Sequence, residues 1–308
     1  MLRRTVEIAT PGTRLSVALG QLVIARPDQP DARVPLAELG ALVIDDGRAS
    51  LSQAVLREAA AAGAVVIVSG ADHLPAGLML PMAGHHALTE RQRAQAAAGL
   101  PLKKRLWQAI VIAKIAQQGR LLAAATGSDS GLAAMARRVR SGDPDNLEAQ
   151  AAQRYWPRLL GAGFHRERGG DGANALLNYG YAVLRAACAR AIVASGLVPT
   201  LGLWHRHRAN PFCLADDLME PFRPLVDQRV VALLADSPAT TLEDRPTRAA
   251  LLALLNEGVR LGGRRWPLLL GLEQASAGLA QALSGGDWRA MPVPDSLALA
   301  PEADDGAA

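Results

Sequence analysis

The chain has 308 residues, half of them hydrophobic and 20% charged, with 33 basic against 29 acidic side chains and a formal charge of +4. This composition excludes a disordered chain, and no apolar run approaches bilayer length, which excludes a membrane-spanning helix. The length allows one large domain or two ordinary ones.

Residues 1–10 alternate and carry Glu7, so they lack the apolar segment and cleavage site of an export signal. The expectation is a cytoplasmic protein with no membrane association. Cys188 and Cys213 are too few for a disulfide framework and lack the spacing of a zinc or redox motif, so both read as buried apolar residues.

The first 80 residues read as β-rich. Short runs at 4–8, 14–19, 21–25 and 41–45 are separated by Pro11-Gly12, Gly20 and the segment 27–30, which suggests a small sandwich or folded sheet. One helix candidate, 50–62, is closed by Gly63 and leads into the apolar run 65–68, a pattern that fits a local crossover. No GxGxxG follows a strand, so this is not a dinucleotide-binding unit.

Between residues 80 and 101 the composition turns to Pro, Gly and His and then to Ala and Gln, after which the hydrophobic period becomes helical. Helices are expected at 103–118, 130–139, 146–160, 173–195, 214–234, 247–259 and 272–283. The fold class is therefore α+β: a small N-terminal β-sheet or sandwich domain (1–84), a linker (85–101), a larger all-α domain (102–290) and an acidic, flexible tail (291–308).

Charge is unevenly spread. Between Lys103 and Arg190 fourteen basic residues face six acidic ones, whereas the tail adds Glu302, Asp304 and Asp305 with no basic residue. The basic surplus is either a phosphate-binding face or an ordinary set of solvated helix surfaces. Eight of the eleven aromatic residues fall between Tyr155 and Phe222, marking the centre of the helical domain's core.

Three segments can carry chemistry. The first, DNLEAQAAQRYW at 145–156, places Glu148 near a helix start, with small residues on its face. Helix capping is the plain role for such an acid, but Asp143 and Asp145 already serve it. The second, NALLNYGY at 174–181, adds amides and phenols on a long helix, after a Gly-rich loop at 161–172 that carries Arg166 and Arg168.

The third, 201–227, runs from an apolar stretch ending in His205 into a helix bearing Asp216, Asp217 and Glu220. Carboxylates sharing one buried helix face repel each other and require a cation, an arginine or a proton. Arg223, three residues after Glu220, offers an ordinary ion pair; a metal held by the acids with His205 is the alternative.

These segments, above all LADDLMEPFRP at 214–224, resemble the universal integrase of CRISPR adaptation, with wording similar to the type II, II-C-like branch. The resemblance covers essentially the whole chain. It implies an N-terminal β domain for dimer contacts and a helical catalytic domain holding one divalent metal, Mg2+ or Mn2+, on Glu148, His205 and Glu220, with Asp217 as a supporting acid. It further implies a metal-dependent DNA endonuclease and transesterase that joins prespacer 3′-OH ends to the repeat of a CRISPR array in antiviral spacer acquisition. The implied partners are double-stranded and branched DNA, a second copy in a homodimer, a small ferredoxin-like companion in a dimer-of-dimers, and the type II effector nuclease. Arg166 and Arg168 are candidate DNA contacts. A general metal-dependent nuclease and a non-catalytic DNA-bridging scaffold are the competing readings.

Overall fold

The computed structural model describes residues 3–82 and 85–297. Eight strands and one helix form the N-terminal part: β1 (Arg4–Ile8), β2 (Arg14–Ala18), β3 (Gln21–Ala25), β4 (Ala32–Pro35), β5 (Leu39–Ile44), β6 (Ser50–Leu51), α1 (Gln53–Ala61), β7 (Val65–Ser69) and β8 (Pro75–Met79). They make two four-stranded sheets, ordered β1-β5-β7-β8 and β4-β3-β2-β6. Helix α1 is the crossover that returns the chain so that β7 pairs parallel to β5.

Strand β5 is buried at every residue. Leu42 and Ile44 join Ile8, Leu22 and Val55 in a core between the two sheets, while Ala41 and Val43, with Val65 and Ile67 of β7, face the helices. From Ala41 to Ile44 alternate residues thus feed two cores, which explains why this part of β5 reads as a continuous apolar run.

The remaining helices are α2 (Leu88–Ala97), α3 (Leu100–Thr126), α4 (Leu132–Ala136), α5 (Leu147–Leu160), α6 (Ala173–Ala194), α7 (Cys213–Met219), α8 (Arg223–Asp236), α9 (Arg245–Ala253) and α10 (Leu268–Gly285). The α+β class is as expected, but this region also holds a small antiparallel sheet of β9 (Gly258–Leu261), β10 (Arg264–Pro267) and β11 (Pro294–Leu297). Strand β9 departs from the expected helix at 247–259. Gly262-Gly263, both at positive φ, make the turn that pairs β9 with β10.

The segments expected as linker and tail also carry structure. Within 85–101 lies α2, whose buried Gln95 bonds the carbonyls of Val198 and Leu201, each at 2.9 Å, so this stretch docks onto the helical body. Strand β11 falls inside 291–308, while Glu302, Asp304 and Asp305 lie outside the described residues.

The single helix expected at 214–234 is broken in two. Pro221 and Pro224 have no N–H to give the carbonyls four residues earlier, and Glu220–Phe222 forms a 3₁₀ turn in which the Glu220 amide bonds the Asp217 carbonyl. Helices α6 and α8 cross closely at Gly180, where a Cβ would lie 2.4 Å from Val226 Cγ1.

Candidate functional site

A cleft of about 640 Å³ opens among α3, α5, α6 and the break between α7 and α8; Lys114, Glu148, Arg166, Arg168, Tyr181, His205, Glu220, Arg223 and Asp227 all line it. Glu148, His205, Glu220, Arg166 and Arg168 therefore meet in one place, from segments as much as 72 residues apart.

Glu148 stands in the first turn of α5 and is freed from capping duty. The Asp143 carboxylate accepts the Leu147 and Glu148 amides at 2.9 and 3.0 Å, and Asp145 is held by Arg140. Of the acids on the α7 face, Asp216 takes no part in the cleft. Arg185 holds it at 2.7 and 2.9 Å, and Asn210 adds a third bond.

Asp217 is fully buried and organises the loop before α7. Its Oδ2 accepts the Leu203 and Trp204 amides at 2.6 and 3.1 Å, and its Oδ1 accepts the His205 amide at 3.1 Å and lies 2.7 Å from His205 Nδ1. Such a set of donors marks an anionic acceptor, so Nδ1 carries the proton and Nε2 is the free nitrogen. The hydrogen bond to Asp217 pushes the His205 pKa up, against the effect of burial. Gly202 lets the loop wrap this tightly, since a Cβ there would lie 2.4 Å from the His205 carbonyl oxygen. Trp204 stacks on Trp107 with ring centroids 5.5 Å apart, and Trp107 meets the His205 ring edge-on.

The ordinary ion pair open to Glu220 is present, with Arg223 Nε 2.9 Å from its Oε1. The other oxygen, Oε2, lies 2.5 Å from Lys114 Nζ, a close ion pair without hydrogen-bond alignment. Lys114 also donates to Glu148 Oε1 and thus bridges the two glutamates. Burial pushes the Glu220 carboxyl up, but Arg223 and Lys114 overcompensate and hold it at about 2. Burial disfavours the Lys114 ammonium, and the two glutamates outweigh it and keep the group charged.

Among the described residues no three His, Cys, Asp or Glu side chains close on one point in the manner of a preformed metal site. The space between Glu148 and Glu220 is instead filled by an ammonium. The donor set still fits a divalent cation: two carboxylates already sharing one positive charge, and an imidazole on the same cleft whose other nitrogen is anchored to a carboxylate.

At the far wall, Arg166 is fixed by the side-chain oxygens of Asn174 and Asn178 at 3.0 and 2.6 Å and lies over the Tyr181 ring at 5.2 Å. The Gly-rich loop is therefore braced by the two amides of NALLNYGY. Arg168 is exposed at the rim, and its carbonyl accepts from Asn178. Below, Asp227 accepts from Tyr155 at 2.9 Å and from Tyr181. Lys114, Trp107 and Asp227 are site residues that motif reading missed. Lys114 had a signal: it continues the stripe Trp107, Ile110, Val111, where a core residue belongs.

Residues 6–260 match the family model described as CRISPR associated protein Cas1. The chain is 34% identical over 291 residues to the CRISPR-associated endonuclease Cas1 of Neisseria meningitidis serogroup C (strain 8013), covering 94% of this chain and 95% of that protein. Among solved structures, a casposase bound to integration product superposes with a TM-score of 0.73 at 20% identity, covering 93% of this chain and 92% of that one. A chain of a partial Cas6-RT-Cas1–Cas2 complex gives 0.65 at 16% identity, covering 94% and 98%.

Proposed function

The chain belongs to the Cas1 family, and from that premise we propose that it is the integrase of CRISPR adaptation, a metal-dependent DNA endonuclease and transesterase that joins prespacer 3′-OH ends to a CRISPR repeat. The observation that carries the reading is that Glu148, Glu220 and His205 line one cleft, with Asp217 fixing the imidazole through Nδ1.

Glu148, Glu220 and His205 would hold the cation, Mg2+ or Mn2+. Bound there, it would lower the pKa of the attacking hydroxyl and neutralise charge developing on the phosphate. The protein's own groups do the rest. Asp217 keeps the His205 proton on Nδ1, which leaves Nε2 available to the cation. Arg223 holds Glu220 in its ionised form. Arg166, immobilised by Asn174, Asn178 and Tyr181, is a preformed phosphate clamp at the wall of the cleft. One cleft supplies one joining event, so full insertion calls for two copies. This supports a homodimer and, with the Cas1–Cas2 assembly named for a structural relative, a small ferredoxin-like companion in a dimer of dimers. The effector nuclease is a further proposed partner.

Incubating one labelled 3′-OH oligonucleotide with a repeat-bearing plasmid, the protein, its companion and Mn2+ tests the reading. Joined product is expected; cleavage without joining would assign a general nuclease, and DNA binding without either would assign a bridging scaffold.

A further inference from the structure

Lys114 is the one charged side chain on a stretch of α3 that otherwise supplies Trp107, Ile110, Val111 and Ile115 to the core, and its side chain is 10% exposed. An ammonium in such a place is costly unless paired. Its partners are Glu148 and Glu220, the two proposed carboxylate ligands. Each acid has one further anchor besides Lys114: Asp143 accepts the Glu148 backbone amide, and Arg223 holds the opposite oxygen of Glu220.

Two cations, Lys114 and Arg223, therefore balance two carboxylates, and the group is neutral as it stands. A divalent cation entering between the same two carboxylates would bring two further positive charges beside the buried Glu220 and the half-buried Glu148. Coulomb repulsion at such distances removes the mobile monovalent partner first, because Lys114 reaches the acids through a flexible four-carbon stem.

We propose that Lys114 is a resident counter-ion: its ammonium holds Glu148 and Glu220 together in the metal-free protein and competes with the divalent cation for the space between them, leaving it when the metal binds. This rests on the reading that Glu148 and Glu220 are ligands. It explains how a buried Glu220 and a half-buried Glu148 stay paired without a metal, and it makes metal affinity a quantity the protein sets partly through Lys114.

The test is Mn2+ binding to the full chain at pH 7.5 without DNA, followed by the electron paramagnetic resonance of free Mn2+. Lys114→Met, similar in length and neutral, is expected to bind Mn2+ at least about tenfold more tightly than the wild type, with a lower unfolding midpoint in chelator and a larger rise on adding Mn2+. Equal or weaker binding overturns the proposal. Wild-type protein gives an independent readout should that variant not fold. The chain has only three lysines, Lys103, Lys104 and Lys114, so after selective 15N labelling the slowly exchanging ammonium signal of Lys114 is expected in chelator and should shift or vanish on saturation with Mg2+. An unchanged signal also overturns it. If the wild type binds Mn2+ and Glu148→Gln abolishes that binding, the ligand reading stands whatever Lys114→Met does. If Glu148→Gln leaves Mn2+ binding intact, both fall.

Discussion

Asp217 Oδ1 lies 2.7 Å from His205 Nδ1, and the same carboxylate gathers the amides of Leu203, Trp204 and His205. The orientation of the imidazole is thus built into the backbone of the loop that carries it. Asp217→Asn keeps the size but offers an amide donor toward Nδ1, which favours the tautomer with its proton on Nε2. DNA joining is expected to fall about 10- to 100-fold, with the protein still folded by circular dichroism; undiminished joining would remove Asp217 from the site.

Arg166 is held by Asn174, Asn178 and the Tyr181 ring. Arg166→Ala is expected to weaken DNA binding at every sequence and to reduce the slope of log affinity against log salt by about 1. Fluorescence anisotropy across a salt series measures both. An unchanged slope would mean that Arg166 braces the loop and touches no phosphate.

Burial pushes the Asp227 carboxyl up to about 6, although Tyr155 and Tyr181 donate to it. A folded-state pKa above the unfolded value contributes stability that is fully present below about pH 3.9 and is lost as pH rises through about 6. Asp227→Asn lacks that component, so the wild type's stability relative to the variant should drop by up to roughly 3 kcal/mol between pH 4 and 7. Denaturant titrations at a series of pH values report it; parallel curves for the two proteins would refute the raised pKa.

The β-rich part and the helices are joined through Asp45, whose buried carboxylate meets Arg248 Nε at 3.1 Å and His73 Nδ1 at 3.0 Å. Arg248→Ala leaves that charge buried with the imidazole alone, an expected loss of roughly 3 kcal/mol. Urea unfolding measures the loss, and a change near zero would mean that water replaces the guanidinium.

Much of this architecture is readable from the chain because its signals are local. The runs at 4–8 and 21–25 become β1 and β3 with those bounds, and Asn174 and Asn178 stand on the helix the period predicts. Glu148, His205 and Glu220, from three separate segments, line one cleft. Other features depend on partners distant in sequence. Gln95 turns an expected linker into a docked helix by bonding carbonyls 103 and 106 residues away. Gly262-Gly263 pairs β9 with β10 where periodicity continues a helix, and β11 then adds from beyond α10. Lys114 is the clearest case: one lysine on an apolar stripe has a meaning only once α5 and the Pro221 break bring two acids to it.

Glu220→Gln offers the most direct test of the proposed site, because it keeps the side chain's size and removes the charge that Lys114 and Arg223 balance. In the oligonucleotide-to-repeat joining assay with Mn2+ and the companion protein, the variant should lose joining by about 100-fold or more while remaining folded. Joining at the wild-type rate by folded Glu220→Gln would contradict the assignment of the reaction to this cleft.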